Sequence, residues 1–194
     1  MAMAIIMLCL LVSTIQPIYG HDSLLLKIAG ERKTDNNFTV QSIELLFNDE
    51  YGIFLLGNSD GHIEFTIEDI TRLRILLEKY LAWEELAVIN QIKIYKDIPE
   101  SIFASKIIYN KTNTNEYIKE TIHFKMSFYS KSENDNYLVI ESKIYEKKTF
   151  GFLDEPYYIS KSRVQEIYNS INEENIEKYL EEHKNREKIQ ELFK

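Results

Sequence analysis

Cysteine is almost missing from this chain. Its one thiol, Cys9, closes no internal disulfide and offers no cysteine knuckle for a metal. Proline occurs three times and glycine six times in 194 residues, which leaves little room for flexible linkers. No Gly-rich phosphate loop, nucleophile elbow or His-Glu-x-x-His metal motif is present. Basic charge is short, with 23 Lys and Arg against 31 Asp and Glu, a net charge of −8. That balance repels phosphate backbones and anionic membrane surfaces, so it argues against nucleic acid and against adsorption to a bilayer. It suits solubility or a basic protein partner. No apolar run reaches the roughly 20 residues that span a membrane.

What is present begins with an uncharged N-terminus. Ala4 to Val12 is a continuous apolar run, followed by the polar, helix-breaking Ser13 to Pro17 and then Ile18-Tyr19-Gly20. An apolar core ending at a small residue is the pattern of a cleavable signal peptide, although the usual basic start is lacking. The expectation is a signal peptide at residues 1–20 and a secreted or periplasmic mature chain, 21–194, without cysteine. The competing expectation is a buried N-terminal strand or helix. Leu8 precedes Cys9 where a lipoprotein signal has a small residue, which argues against lipidation. Hydrophobic residues at 44% and 13 tyrosines exclude a disordered chain.

The patterning predicts an α+β domain of antiparallel sheet with one long buried helix in mid-chain and further helices at the C-terminus. Strands are expected at 23–29, 38–47, 51–56 and 62–65, with a polar stretch at 30–37 that turns at 34–37, and further turns at 48–50 and 57–61. In the fourth strand His62 and Glu64 alternate against Ile63 and Phe65 and are expected to point outward. Thr66 followed by Asp69 predicts the start of a helix running to Asn90. Ile67, Ile70, Leu73, Leu77, Tyr80 and Leu81 supply its periodic stripe, and Ile75, Leu76, Trp83, Leu86 and Val88 widen it. So wide an apolar surface is covered on two sides. Further strands are expected at 91–95, 102–109, 117–129 and 137–145, with a partly extended 150–159. Ser162 with Gln165 predicts a cap for a helix through Ile171, and Asn172 for a last, highly charged helix, 173–193, laced by Glu174–Lys178 and Glu182–Arg186.

The order is strands then helix, twice, over pseudo-repeat halves 22–90 and 91–171, followed by the charged helix 172–193. In outline this resembles the doubled four-strands-then-helix plan of the Whirly and PC4-type single-strand-binding folds. The resemblance is one of topology and covers no motif. Their function is not carried over, because fold does not fix function and both charge and export signal oppose it.

Chemistry-bearing residues are few. Asn58-Ser59-Asp60-Gly61 looks like part of a calcium loop, but that alignment puts Leu56 and Ile67 at positions that need oxygen donors, so a hairpin turn is expected. Cleavage after Gly20 makes His21 an N-terminal amine and imidazole, a chelator for copper if His62 or His123 approaches; a solvated terminus is the alternative. His183 lies on the charged helix. The acidic pairs Glu68/Asp69, Glu84/Glu85 and Asp154/Glu155 read as solvated faces or a turn, since neighbours on a helix diverge. Leu76, Tyr80 and Trp83 make a candidate interface patch, with packing on the sheet as the alternative. Asn37-Phe38-Thr39 and Asn110-Lys111-Thr112 fit the N-glycosylation pattern, which matters only in a eukaryote.

The sequence therefore leads to an exported, non-catalytic α+β protein that binds another macromolecule, a protein partner or a second copy, or works in the envelope, without a cofactor. One alternative is an acidic inhibitor or immunity-type protein for a basic partner. Another is a small hydrolase or copper enzyme with a dispersed site.

Overall fold

The computed structural model describes residues 22–34, 37–49, 51–58, 61–99, 103–110, 117–132, 135–142 and 156–192. The expected signal peptide, His21, the acidic pair at 154–155 and the expected strand start at 150 lie outside them. Among the described residues the order is β1 (Asp22–Thr34), β2 (Asn37–Asn48), β3 (Ile53–Asn58), β4 (Gly61–Phe65), α1 (Ile67–Asn90), β5 (Ile94–Asp97), β6 (Phe103–Asn110), β7 (Tyr117–Ser132), β8 (Asp135–Ser142), β9 (Tyr157–Ser160), α2 (Lys161–Ser170) and α3 (Glu173–Glu191).

The chain is a sheet-plus-helix protein, as its patterning predicts. Every strand pairing is antiparallel. β1 to β4 form one meander and β6 to β9 another, joined by β4 with β6 and by β1 with β9. These pairings close a ring of eight strands, and β5 lies in line with β6 along β7. One face carries the core. Ile43, Leu45, Phe47, Phe54, Leu56, Ile63, Phe65, Met126, Phe128, Leu138, Ile140, Tyr157 and Ile159 alternate along their strands and pack with Leu73, Leu77 and Tyr80 of α1, Val164 and Ile167 of α2 and Ile176 of α3.

The sheet bends toward this helix-covered face. The Tyr157 hydroxyl on β9 accepts from Asn58 Nδ2 on β3 at 3.0 Å and donates to Gln41 on β2. Strands stand about 4.8 Å apart, so a flat sheet would leave β3 roughly 14 Å from β9, beyond the reach of a tyrosine. Gly30 on β1 makes the crossing feasible, since a Cβ there would stand 2.4 Å from Ile43 Cδ1 and 3.7 Å from the Tyr157 ring.

α1 forms as its sequence dictates. Thr66 Oγ1 accepts from the Asp69 amide at 3.2 Å, and Asp69 Oδ2 accepts from the Thr66 amide at 3.3 Å, a complete capping box with acid at the positive end of the dipole. Asn172 caps α3, accepting from the Asn175 amide at 2.8 Å. Other expectations are revised. The polar residues 30–33, expected to follow the first strand, belong to β1, which keeps pairing to Thr34 opposite Asn37; the middle of the turn expected at 34–37 lies outside the described residues. α2 starts two residues early, at Lys161, and its flanking Ser160 makes no capping bond; the Ser162 hydroxyl stands 3.3 Å from that of Ser160 instead. Arg186 pairs with Asp49 at the β2–β3 turn rather than with Glu182.

Candidate functional site

Away from the helices, the strand register gathers tyrosines. Phe128, Leu138 and Tyr157 face the core, so their neighbours Tyr129, Tyr137 and Tyr158 face the other way. Tyr95 stands opposite Tyr129, Tyr129 opposite Tyr137, and Tyr158 opposite Val139 one row along. The rings touch. Centroids lie 5.9 Å apart for Tyr95–Tyr129, 6.3 Å for Tyr129–Tyr137, 6.0 Å for Tyr129–Tyr158 and 5.9 Å for Tyr137–Tyr158, with Tyr158 edge-on to the stacked pair. All four keep part of their surface exposed.

Charge frames this cluster. Asp97 accepts from Ser127 Oγ at 2.8 Å and from Lys125 Nζ at 3.0 Å. Lys125 also pairs with Glu141 at 2.8 Å, and the Tyr95 hydroxyl donates to Glu141 at 3.1 Å. Glu31 lies opposite Tyr158 across the β1–β9 pair. The hydrogen bond to Glu141, and then that to Asp97, holds the Lys125 ammonium above the ordinary lysine range. Burial raises the Tyr95, Tyr137 and Tyr158 phenols above the ordinary tyrosine value. They therefore stay protonated and act as neutral hydrogen-bond donors on apolar rings. Such a surface presents hydroxyl donors on apolar ring faces.

A second polar group lies on the same side of the sheet, at β1 to β4. Lys27, Glu44, Gly57 and His62 form one cross-strand row. Lys27 Nζ bonds Glu44 Oε1 at 2.8 Å, and at Gly57 the neighbouring backbone closes in, since a Cβ there would stand 2.0 Å from the Gly61 carbonyl oxygen. The outward position expected for His62 and Glu64 is a correction: both are buried, His62 to 2% exposure. β3 and β4 are covered on both faces, which a period-two pattern cannot reveal. Burial pulls the His62 pKa down to about 4 against the opposing pull of Glu44, and neither ring nitrogen has a hydrogen-bond partner among the described residues.

Glu84 is a further correction. It is buried rather than solvated, held by Asn136 Nδ2 at 3.3 Å and paired with Lys161, and so ties α1 to β8 and α2. Of the three interface candidates, Leu76 and Tyr80 lie in the core, where Tyr80 stacks edge-on to Phe128 at 5.6 Å. Trp83 lies at the margin of the core, edge-on to Phe128, with Lys96 4.9 Å over its ring. Asp69 belongs to the α1 cap. His123 is exposed on β7, while His183 is half-buried on α3 and contacts the Asp49 carbonyl. Among the described residues no three His, Cys, Asp or Glu side chains are grouped to hold a metal ion. The sequons fall at the ends of strands, Asn37 at the start of β2 and Asn110 at the end of β6.

The tyrosine cluster escapes a reading by motif, because its members come from four strands. The available signals were 13 tyrosines in one chain and the position of Tyr129 off the apolar parity of β7. A scan against protein-family models, a search of the curated proteins and a search of the solved structures each give no match.

Proposed function

We propose that this chain is an exported, non-catalytic binding domain that engages a basic protein partner through Tyr95, Tyr129, Tyr137 and Tyr158. The observation that carries this is the cluster itself. Four tyrosines touch ring to ring on a rigid sheet, each partly exposed, with Asp97, Glu141 and Glu31 around them. Tyrosine supplies contact area at a small entropic cost and concentrates where proteins bind one another. The acidic margin and the net charge of −8 favour a basic partner and speed its approach. An acidic inhibitor or immunity-type protein is one form such a module takes. Nucleic acid is not proposed, since the charge opposes it and the likeness to Whirly and PC4 plans is one of element order. Export rests on the residue 1–20 pattern. Among the described residues no helix is long and apolar enough to cross a membrane.

The test is comparative capture. Immobilised protein and a Tyr129→Ala/Tyr158→Ala variant are challenged with extract from the native source, at low and high salt. The expected result is a basic protein retained by the parent, lost by the variant and weakened by salt. Equal retention by both, or retention indifferent to salt, sinks the proposal.

A further inference from the structure

One row of side chains on the tyrosine face crosses four strands: Glu31 on β1, Tyr158 on β9, Val139 on β8 and Ser127 on β7. Tyr129 and Tyr137 stand opposite each other in the next row. β7 and β9 flank β8, so their backbones lie roughly 10 Å apart. The Tyr129 and Tyr158 rings are nevertheless 6.0 Å apart, so Tyr158 leans across β8. Its plane is tilted 73° from that of Tyr129 and 83° from that of Tyr137, while those two rings are stacked within 24°. The three rings therefore make a corner of two nearly perpendicular orientations, and each keeps part of its surface exposed.

Glu31 gives this corner a charge that the chain does not balance. The other carboxylates around the cluster each meet a cation: Asp97 and Glu141 share Lys125, at 3.0 and 2.8 Å, and Asp135 pairs with Lys131 at 3.4 Å. Among the described residues no lysine, arginine or histidine pairs with Glu31, which is partly exposed. Its charge reaches two of the rings. It stands opposite Tyr158, and after burial and the hydrogen bond to Asp135 it is the next cause that raises the Tyr137 phenol.

We propose that this corner is an arginine site, in which a guanidinium from the bound protein lies on a tyrosine ring and forks onto the Glu31 carboxylate. The inference rests on the reading of the cluster as a surface for a basic protein, and it names the group that is recognised. A cation is drawn to the face of an aromatic ring. A carboxylate beside that ring adds a charge-assisted hydrogen bond. A guanidinium takes both at once, because it stacks by its plane while its N–H donors bond within that plane, two to one carboxylate. An ammonium is a compact, strongly hydrated point charge and gains less from the ring. Arginine is accordingly preferred to lysine here, and Glu31 sets the preference.

Hexa-arginine and hexa-lysine peptides carry equal charge, so titrating each into the full chain by calorimetry separates the group from the charge. Hexa-arginine is expected to bind at least about tenfold more tightly. Glu31→Gln keeps the size of the side chain and is expected to bring the two peptides within about threefold of each other. Glu85→Gln removes the same charge from an exposed position on α1 and is expected to leave the preference intact. Tyr129→Ala/Tyr158→Ala is expected to abolish it, with circular dichroism reporting the fold. Equal binding of the two peptides by the parent overturns the proposal. So does an arginine preference that survives Glu31→Gln, or one that Glu85→Gln removes as well. A basic protein captured from extract, together with equal peptide binding, overturns this inference and leaves the binding surface standing. An arginine preference lost in Glu31→Gln, with no protein captured, supports this site and sinks the other reading.

Discussion

Gln91 ends α1 in the left-handed region, at φ 51° and ψ 41°. Its amide reaches the Ala87 and Val88 carbonyls, and the Ile92 amide bonds Ala87 O at 3.0 Å. That position favours glycine, because a Cβ crowds the following carbonyl. Gln91→Gly is expected to raise stability by about 0.5–1 kcal/mol, read as a higher urea midpoint with unchanged slope. His62 makes a residue-scale prediction in pH. Its folded pKa of about 4 lies below the ordinary 6.5, so the unfolded chain binds the extra proton first. Stability contributed by the neutral ring is present above about pH 6.5, declines as pH falls toward 4, and is flat below that. The loss is on the order of 3 kcal/mol. His62→Leu removes two buried, unpartnered nitrogens and is expected to flatten the urea midpoint across that window; a slope equal to the parent's refutes the assignment. Sequence alternation alone sends His62 outward, since it cannot register that β4 is flanked by β3 and β6 and covered on both faces.

At the scale of elements, local chemistry is legible where it is self-contained. Thr66 and Asp69 form their box within one turn of helix, and the sequence announces it. Thr66→Ala is expected to cost about 1 kcal/mol in chemical denaturation, and Thr66→Ser to restore most of it. Asn172 is read equally well, for the same reason. The second helix is misread because Ser162 and Gln165 offer a box that the chain does not use. β9 delivers Ser160 directly to α2 and fixes the start there. The last helix shows the same limit. Arg186 has Glu182 one turn away, yet pairs with Asp49 beside His183 at the β2–β3 turn. Tyr179, 5.4 Å from Phe47 and 6.4 Å from Phe54, holds α3 on the sheet so that this pairing is made. Leu73→Ala, in the helix centre that the periodicity does identify, is expected to cost about 2–5 kcal/mol, measured by thermal or urea melts.

At the scale of the molecule, closure of the ring governs behaviour. Each meander completes the other through β4 with β6 and β1 with β9, and one core joins strands of both halves to all three helices. Neither half is covered without the other. Far-ultraviolet circular dichroism and tyrosine fluorescence are therefore expected to report one coincident unfolding transition; two separated transitions would show that the halves fold alone.

Composition, the period of apolar residues and the helix caps determine the fold class, most strand positions and the extent of α1, because each is set by residues within a few positions of one another. Neighbours in space are a different matter. The ring, the burial of His62 and Glu84, the placing of Leu76 and Tyr80 in the core, and the meeting of Tyr95, Tyr129, Tyr137 and Tyr158 depend on contacts between strands far apart in the chain. Those contacts are chosen by register and curvature, and only the tertiary structure decides them, because a one-residue slip in pairing would turn every tyrosine of the cluster to the other face.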